Sequence, residues 1–584
     1  MAMNKSKVIA AAMGEIPFDR VIRNIKFINL MTKEIYDSEI GIIDGRIGHI
    51  NQPGEKSLSG KEVYDAQGRY AAPGLIDTHV HIESSMMTPV NMARAILIHG
   101  TTTIACDPHE IANVLGIEGV QYIIDASRDI PLMVYVLAPS CVPSVVGLET
   151  AGAAFNKEEI ARIMEMERVI GLGEVMDFPG VIHQSERMMS ILETAKKYTR
   201  FLQGHAPNLV GRELSAYLAS GVGSCHETNF SEEARYKLRA GMTLECRESS
   251  IAQNIKAIAP VLKECQYPPN ATLCTDDREP DDLLNDGHLD HIIRRAIEEG
   301  IPPLEAIKMA TYNAARLIDI PDIGLLKPGN LANIILLDSL EHFSVNEVFA
   351  KGNLVARAGI LVNEISRQEF AVEKRNTLIL KTKPTAENFK IPSSYPTAKI
   401  PIISFNPQMP IITDLEEIEL PVKDGFIDIS GRDDLSILAV FERHGVNGNH
   451  SVCFVKGLGL THGAIASTVS HDCHNLMVLG RNIPDMLQAV DVLCQSGGGY
   501  VCIADGRVEA LLELPIAGLL SEKPAQEVAA ETAKLKQKIT EFGMVGNFPA
   551  LLLLVTFALP VIPNVRLTDH GLVNVNTQAL IPLQ

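Results

Sequence analysis

The chain has 584 residues, of which 46% are hydrophobic and 21% charged, a balance typical of a well-packed globular protein. Its formal net charge of −19 at pH 7 argues against a nucleic-acid partner or an anionic membrane surface, since both require a basic patch. A chain of this length is too long for one hydrophobic core, and we expect about two to four domains.

The cysteines and the first apolar run bear on the cellular compartment. The ten cysteines include no Cys-x-x-Cys pair, which suits a reducing compartment where thiols stay free. The apolar run Val8–Met13 is too short for the apolar core of a secretion signal. The sequence therefore predicts a cytoplasmic protein without a membrane partner.

Residues 1–70 have the pattern of short strands separated by turns. Val21–Leu30 and Ile40–Asp44 are rich in β-branched residues, and Asp44-Gly45 is typical of a two-residue hairpin turn. We predict that these residues form the first part of a small β domain.

From Ala71 onwards, apolar strands alternate with longer helical stretches, as in β/α units around a parallel sheet. Eight such strands are predicted within 71–320, which matches a (β/α)8 barrel of about 250 residues. The last two helices are predicted at Leu289–Glu299 and Pro303–Ile318. The eight strands are predicted to end near His79, Asp107, Ala138, Glu174, His205, His226, Arg247 and Asp276.

The rest of the chain divides into three further segments. Residues 321–370 return to β character and are predicted to pair with 1–70, giving a small β-sandwich split in sequence around the barrel. Residues 371–410, which include the proline-rich stretch Pro384–Pro410, are predicted to be a linker, and 411–584 a C-terminal α/β domain. In that domain we expect strands near Val452–Lys456 and Leu476–Gly480 and a helix near Ala525–Phe542. The predicted fold class is therefore α/β.

A His-x-His pair ends the first barrel strand. Because side chains alternate along a strand, His79 and His81 share one face, about 6–7 Å apart along the backbone. Such a pair can bind a divalent metal, although the same motif could also be two surface histidines after a turn.

The polar residues at the other strand ends strengthen the metal interpretation. Barrel enzymes carry their functional residues at the C-terminal ends of the strands. Four imidazoles and two carboxylates at one barrel mouth match the needs of two adjacent divalent cations, with one carboxylate as a bridge. Taken singly, each residue could equally be a buried core histidine or an acid that caps a helix. The predicted ligands are His79, His81, Glu174, His205, His226 and Asp276.

Several motifs resemble those of the bacterial adenine deaminases of the amidohydrolase superfamily. The similarity covers nearly the whole chain, and the Ser470–Asn475 motif and the strand-four Glu174 narrow it from superfamily to subfamily. The matching stretches are Pro73–Ser85, Asp107–Val114, Gly171–Met176, Gly204–Pro207, Cys274–Arg278 and Ser470–Asn475.

The resemblance implies an amidohydrolase-type barrel and the metal-dependent hydrolysis of adenine to hypoxanthine and ammonia, a step of purine salvage. It implies two divalent ions per chain, with Mn²⁺ favoured and Fe²⁺ or Zn²⁺ as alternatives. It also implies that His79, His81 and Asp276 hold one ion, His205 and His226 the other, and that Glu174 bridges them.

Two residues are candidates for proton transfer. A carboxylate at Asp276 is suited to take a proton from the attacking water and pass it to the departing amine. Related deaminases often have His-x-x-Glu on strand five, whose glutamate protonates the ring, but here Ala-Pro-Asn follows His205. Glu227, next to His226, is one candidate for this role.

A further group of residues is predicted to touch substrate or to support the ligands. His109 and Glu110 follow strand two, where capping of the next helix is the structural alternative. The C-terminal motif is predicted to act as a lid, to contact adenine or to bind another metal, unless it is a polar turn between domains. The residues in this group are Glu83, Ser84, His109, Glu110, His471, Asp472 and His474.

Two rival functions remain open at this stage. One is an amidohydrolase for a different nucleobase or a cyclic amide, and the other is a non-catalytic scaffold, which would be expected to lack some ligands. The partners predicted are adenine and water, and a homo-oligomer is expected at this size.

Overall fold

The structure is a computed structural model that describes residues 5–366, 375–407, 412–544, 554 and 557–583. A first helix, α1 (Lys5–Ala12), precedes five strands of the small β domain. The turn between the second and third strands has positive φ at Asp44 (50°) and Gly45 (72°), as the predicted hairpin requires. The strands are β1 (Phe18–Asn29), β2 (Glu34–Ile43), β3 (Arg46–Ile50), β4 (Gly60–Asp65) and β5 (Tyr70–Pro73).

Eight parallel strands then form the barrel. The first five pair in sequence order, and so do the last three. The two groups join where the Gly223 N–H donates to the Leu202 carbonyl (3.1 Å), and the ring closes where the Asp276 N–H donates to the His79 carbonyl (3.0 Å). The predicted (β/α)8 barrel is thereby confirmed. Its strands are β6 (Leu75–Val80), β7 (Thr101–Cys106), β8 (Met133–Ala138), β9 (Val169–Val175), β10 (Leu202–Gly204), β11 (Ser224–Cys225), β12 (Thr243–Arg247) and β13 (Ala271–Cys274).

Helices surround the barrel and connect its strands. The predicted helix Pro303–Ile318 is interrupted by a π-helical turn, Met309–Asn313, inside which the Asn313 amide donates to the Ala271 carbonyl of β13 (2.9 Å). The helices are α2 (Pro89–Leu97), α3 (His109–Leu115), α4 (Ile117–Ala126), α5 (Lys157–Met164), α6 (Phe178–Ile182), α7 (Glu186–Ala195), α8 (Gly211–Ala219), α9 (Ser231–Arg239), α10 (Ile255–Glu264), α11 (Pro280–Asn285), α12 (Leu289–Glu298), α13 (Pro303–Lys308) and α14 (Ala314–Leu317).

The second part of the small β domain completes the first. Strand β14 pairs antiparallel with β5, so that both sequence segments belong to one nine-stranded sheet. Ile22 and Ile40 from the first segment share a buried apolar core with Ile334 and Phe349 from the second. The predicted sandwich is thus a single sheet with its own core. The added strands are β14 (Ile334–Ser339), β15 (Ser344–Ala350), β16 (Asn353–Arg357) and β17 (Ile360–Leu361).

The C-terminal domain contains a mixed nine-stranded sheet, in the order β20-β19-β18-β22-β21-β24-β23-β25-β26. Two helices, α15 (Ile483–Ser496) and α16 (Ala525–Glu541), accompany it, together with a small three-stranded sheet. The strands are β18 (Thr397–Phe405), β19 (Thr413–Lys423), β20 (Phe426–Ile427), β21 (Leu435–Phe441), β22 (His450–Lys456), β23 (Ala464–Ser467), β24 (Leu476–Gly480), β25 (Gly499–Ala504), β26 (Arg507–Glu513), β27 (Val565–Thr568), β28 (Gly571–Asn574) and β29 (Ala579–Ile581).

The predicted linker, 371–410, needs a correction. Strand β18 lies inside it and pairs with β19 over its whole length and with β22 at its far end, so this part of the chain belongs to the C-terminal sheet. Residues 371–374 and 408–410 of the predicted linker lie outside the described residues.

The C-terminal domain is fastened to the loops at the barrel mouth. The Asn475 amide donates to the Thr150 carbonyl after β8 (2.9 Å), and the Ser521 N–H donates to the Met86 carbonyl after β6 (2.8 Å). The ammonium of Lys536 on α16 lies 2.8 Å from the Asp281 carboxylate on α11. One cluster of buried apolar side chains also runs from the barrel helices into the C-terminal sheet. The domain therefore forms a fixed cover over one side of the barrel mouth.

Among the described residues, no helix has both the length and the apolar character needed to cross a membrane.

A buried lysine holds the loops that follow β10 and β11. The Lys237 ammonium, fully buried on α9, donates to the Ala206 carbonyl (2.8 Å), the Glu227 carbonyl (3.3 Å) and the Glu233 carboxylate (2.7 Å). Ala206 directly follows His205, and Glu227 directly follows His226. Lys237 therefore fixes the backbone that carries two of the predicted metal ligands.

We predict that Lys237→Met lowers thermal stability markedly, because it leaves the Glu233 carboxylate buried without its cation, a loss of about 3–5 kcal/mol. The measurement is the melting temperature by circular dichroism. Lys157→Met, at an exposed position on α5, is the matched control and should leave it unchanged. Equal melting temperatures in the two variants would contradict this role.

Candidate metal centre

The six predicted ligands converge at the C-terminal end of the barrel. His79 lies within β6 and Glu174 within β9, while the other four follow β6, β10, β11 and β13 by one or two residues. All are buried except His205, whose side chain is 18% exposed. Parallel strands that end at one edge of the barrel explain how residues almost 200 positions apart meet.

The imidazoles of His79 and His81 face each other through their Nε2 atoms. Nδ1 of His81 is 2.9 Å from the Asp107 carbonyl, which accepts only, so Nδ1 carries the proton. Nδ1 of His79 is 2.8 Å from Oε1 of Gln203, whose own amide group donates to the Thr78 carbonyl (2.9 Å). When both rings are neutral, both Nε2 atoms therefore present lone pairs to the same point, only 3.1 Å apart. A cation between them removes the repulsion that this arrangement would otherwise cause.

Asp276 adds an anion to the same point. Its Oδ1 lies 3.3 Å from Nε2 of both His79 and His81, and its Oδ2 accepts from the Arg247 guanidinium. One oxygen thus faces the imidazole pair while the other is anchored from β12.

The two carboxylate oxygens of Glu174 face different sets of nitrogens. Oε1 lies 3.3 Å from Nε2 of His81, whereas Oε2 lies 2.7 Å from Nδ1 of His205 and 3.3 Å from Nε2 of His226. Those two nitrogens are themselves 3.2 Å apart. A carboxylate shared in this way is what the predicted bridging role requires.

The donors present fit divalent cations. They are imidazole nitrogens and carboxylate oxygens, and in groups of three their donor atoms lie within 4.8 Å of one another. The other ring nitrogens of His79 and His81 are held by Gln203 and by the Asp107 carbonyl, an arrangement common at metal sites. The barrel mouth is therefore a site for divalent metal.

In the metal-free protein, burial and the neighbouring charges shift the pKa values of the predicted ligands. Burial alone would raise the pKa of Glu174, but the hydrogen bonds from His205, His226 and His81 hold it well below its usual range. Burial would lower the pKa of His79, yet Asp276 and Glu174 raise it to about 9. Burial and the charge of His79 lower the pKa of His226 to about 4. The carboxylates are thus charged at neutral pH, while the imidazoles whose pKa is raised, His79 and His81 among them, must lose a proton when metal binds.

Glu227, a predicted proton donor, forms an ion pair instead. Its Oε1 lies 2.5 Å from Nη1 of Arg247, the guanidinium that also holds Asp276. Burial would raise the pKa of Glu227, but Arg247 outweighs it and lowers the pKa. An ionised carboxylate has no proton to give, so the structure argues against Glu227 as the ring acid.

The residues predicted around the centre lie together above it. Ser84 donates to Oε1 of Glu110 (3.1 Å), and Oε1 of Glu83 accepts from the Ile111 N–H (3.1 Å). Burial, with the neighbouring Glu110 charge, raises the pKa of Glu83 to about 8. His109 lies against the centre, with Nδ1 3.5 Å from Oε1 of Glu174.

The C-terminal motif approaches the barrel mouth of its own chain. Nε2 of His471 and Nε2 of His474 each lie 3.7 Å from Oε2 of Glu110. Oδ1 of Asp472 lies 3.6 Å from Nε2 of His109. Whether these side chains touch substrate stays a prediction.

Sequence reasoning assigned no role to Arg247, Gln203 or Asp107. The sequence did indicate all three, because functional residues of barrels lie at the C-terminal ends of strands. Arg247 and Asp107 end predicted strands, and Gln203 lies two residues before His205, on the same face of that strand. The Asp107 carboxylate accepts from the Glu174 N–H (2.8 Å), so it supports the bridge.

We predict that Glu174→Gln retains about one metal ion fewer per chain than the wild type, because a neutral amide bridges two cations poorly. Elemental analysis of the purified protein measures this. Glu158→Gln, exposed on α5, should keep full metal content. Undiminished metal in Glu174→Gln would remove this residue from the site.

We also predict that metal affinity of the apoprotein rises with pH between about 6 and 8. His79, with its pKa raised to about 9, is protonated over this range and must release its proton on binding. Calorimetric titration in buffers of different ionisation enthalpy measures both the affinity and the proton released. An affinity that does not change with pH would contradict this assignment.

Comparison with known proteins bears on the whole chain. Residues 70–355 match the amidohydrolase family, and residues 410–579 match the adenine deaminase C-terminal domain. The chain is 40% identical to adenine deaminase 2 of Carboxydothermus hydrogenoformans, over 99% of each protein. It is also 40% identical to the adenine deaminase of Moorella thermoacetica, over 97% of this chain and 96% of that one, and to that of Methanothrix thermoacetophila, over all of both. The chain therefore belongs to the adenine deaminase family of amidohydrolases.

Proposed function

We propose that this protein hydrolyses adenine to hypoxanthine and ammonia with a pair of divalent ions. Full-length similarity to adenine deaminases supports the substrate, and the C-terminal domain match extends that support beyond the barrel. The observation that carries the two-ion centre is the shared Glu174 carboxylate, whose oxygens face separate sets of imidazoles. The enzyme is thus a hydrolase acting on the C6–N bond of adenine.

The geometry supports a specific division of the ligands. His79, His81 and Asp276 are proposed to hold one ion, His205 and His226 the other, and Glu174 both. Nitrogen and carboxylate donors suit Mn²⁺, with Fe²⁺ or Zn²⁺ as alternatives. Divalent cations supply Lewis acidity, which makes water an effective nucleophile at neutral pH.

The protein's own groups handle the proton. Oδ1 of Asp276 faces the centre and is proposed to accept the proton of the attacking water and then to deliver it to the leaving amine. Arg247 holds Oδ2, which fixes the direction of this carboxylate. Burial would raise the pKa of Asp276, but Arg247 and the two imidazoles hold it well below its usual range, so the group begins the reaction ionised.

The cover formed by the C-terminal domain limits access of water. Glu110 of the barrel is fully buried against it, whereas His205 and Glu227 keep side-chain exposures of 18% and 15%. We propose that adenine enters on the side of His205 and Glu227. Exclusion of bulk water strengthens electrostatic interactions inside such a site.

A panel of substrates tests the proposed function. The alternative is an amidohydrolase that acts on another nucleobase or on a cyclic amide. Ammonia release from adenine, other purines, cytosine and hydantoins by the metal-loaded protein separates the two. A preference for any compound other than adenine would overturn the proposal, and a protein inactive on all of them would favour a scaffold.

We predict that Asp276→Asn reduces turnover of adenine by about 10²–10⁴-fold, because an amide cannot accept the proton. The Michaelis constant should change much less. Steady-state hypoxanthine formation measures both values at equal metal content. Asp424→Asn, at an exposed turn, is the control and should behave as the wild type. Near-normal turnover in Asp276→Asn would place the base elsewhere.

We further propose a cytoplasmic homo-oligomer. The ten cysteines are all free in the structure, which agrees with a reducing compartment.

A further inference from the structure

A second group of metal-binding side chains lies between the barrel and its cover. His109 follows β7, Cys141 follows β8, and Asp472 comes from the C-terminal motif. Their donor atoms all lie within 4.8 Å of one another, and each residue is buried. The group is distinct from the six-residue centre, since it shares no ligand with it.

The Asp472 carboxylate has no ordinary partner in this setting. The residue is 1% exposed, and its Oδ2 is buried without a hydrogen bond among the described residues. Oδ1 faces Nε2 of His109 at 3.6 Å and Nδ1 of His471 at 3.8 Å, both too long for hydrogen bonds. A buried carboxylate without hydrogen bonds is costly unless a cation lies beside it.

The ring nitrogens around Asp472 are oriented as ligands would be. Nε2 of His109 and Nδ1 of His471 both face Oδ1 of Asp472, at 3.6 and 3.8 Å. The other ring nitrogen of each faces a second carboxylate, that of Glu174 at 3.5 Å for His109 and that of Glu110 at 3.7 Å for His471. A metal-binding histidine commonly directs its other N–H at a carboxylate in this way.

His474 does not belong to this set. Its Nδ1 accepts from the Ser470 N–H (3.3 Å), so the proton is on Nε2, which points at Glu110. The histidine supports the Glu110 carboxylate and offers no free lone pair.

We propose that His109, Cys141 and Asp472, with His471 completing the set, form a third metal site that binds Zn²⁺. Two imidazole nitrogens, a thiolate and a carboxylate oxygen are the donor types of tetrahedral zinc sites, and distances of 3.6–3.8 Å between donors are close to those around such an ion. The thiol sulfur distinguishes this site from the six-residue centre, whose donors are nitrogen and oxygen only.

The position of the site gives it a structural task. Two of its ligands come from barrel loops and two from the C-terminal motif, so the ion fastens the cover to the barrel mouth. His109 also lies against Glu174, so an ion at this site would support the position of the proposed bridging carboxylate.

Cobalt substitution of the full-length protein tests the site independently of activity. A Co²⁺–thiolate bond gives a charge-transfer band in the near ultraviolet, whereas the nitrogen and oxygen ligands of the catalytic pair give none. We expect this band in the Co²⁺-loaded wild type, and about three metal ions per chain by elemental analysis after loading with Zn²⁺. Cys141→Ser should lose the band and about one of these ions.

Two further variants keep the test decisive. Cys453→Ser, which removes a buried thiol from β22 in the C-terminal sheet, should retain the band and the full metal content. Asp472→Asn, which changes one atom, should lose Zn²⁺ to a chelator at least tenfold faster than the wild type. A wild type with only two ions and no charge-transfer band would overturn the proposal and leave an imidazolium–carboxylate pair between His109 and Asp472. A band that survives in Cys141→Ser would overturn it as well.

Discussion

Two imidazole nitrogens, Nε2 of His79 and Nε2 of His81, lie 3.1 Å apart at the centre of this barrel, and much of the surrounding structure serves to keep them there. In their neutral forms neither ring can donate to the other, because Nδ1 carries the proton and directs it at Gln203 or at the Asp107 carbonyl. Asp276 and one oxygen of Glu174 complete a set of acceptors without a donor. Such a cluster is stable only around positive charge, so binding of a divalent metal stabilises the folded site.

The barrel and its ligands were predictable because the signals are local. Each strand is a short apolar run, each ligand stands at its end, and a parallel barrel brings those ends together whatever lies between. The ion pair of Glu227 with Arg247 was not predictable in this way, since Glu227 follows β11 and Arg247 ends β12, and no local pattern indicates which side chains of neighbouring strands meet.

Strand β18 was not predicted from the sequence, for a different physical reason. It contains Pro401 in a proline-rich stretch, which is normally a sign of a linker. In the structure β22 pairs only with Ile403 and Ser404, so the first half of β18 is an edge, where a missing N–H does little harm.

The approach of Asp472 to His109 could be predicted only as one of several alternatives, because nothing in the chain between them fixes how the C-terminal domain packs on the barrel.

The hydrogen bond that closes the barrel joins His79 to Asp276, the first and last of the predicted ligands along the chain. On a ribosome, a nascent chain that has released only the first seven barrel strands lacks Asp276 and a closed ring, although it already carries the other five predicted ligands, His79, His81, Glu174, His205 and His226. Metal acquired at that stage would lie in an open, hydrated ring, free to exchange with whichever ion is most abundant. Selection of the final metal therefore belongs to the moment after Asp276 emerges, when closure buries the ligands and slows exchange.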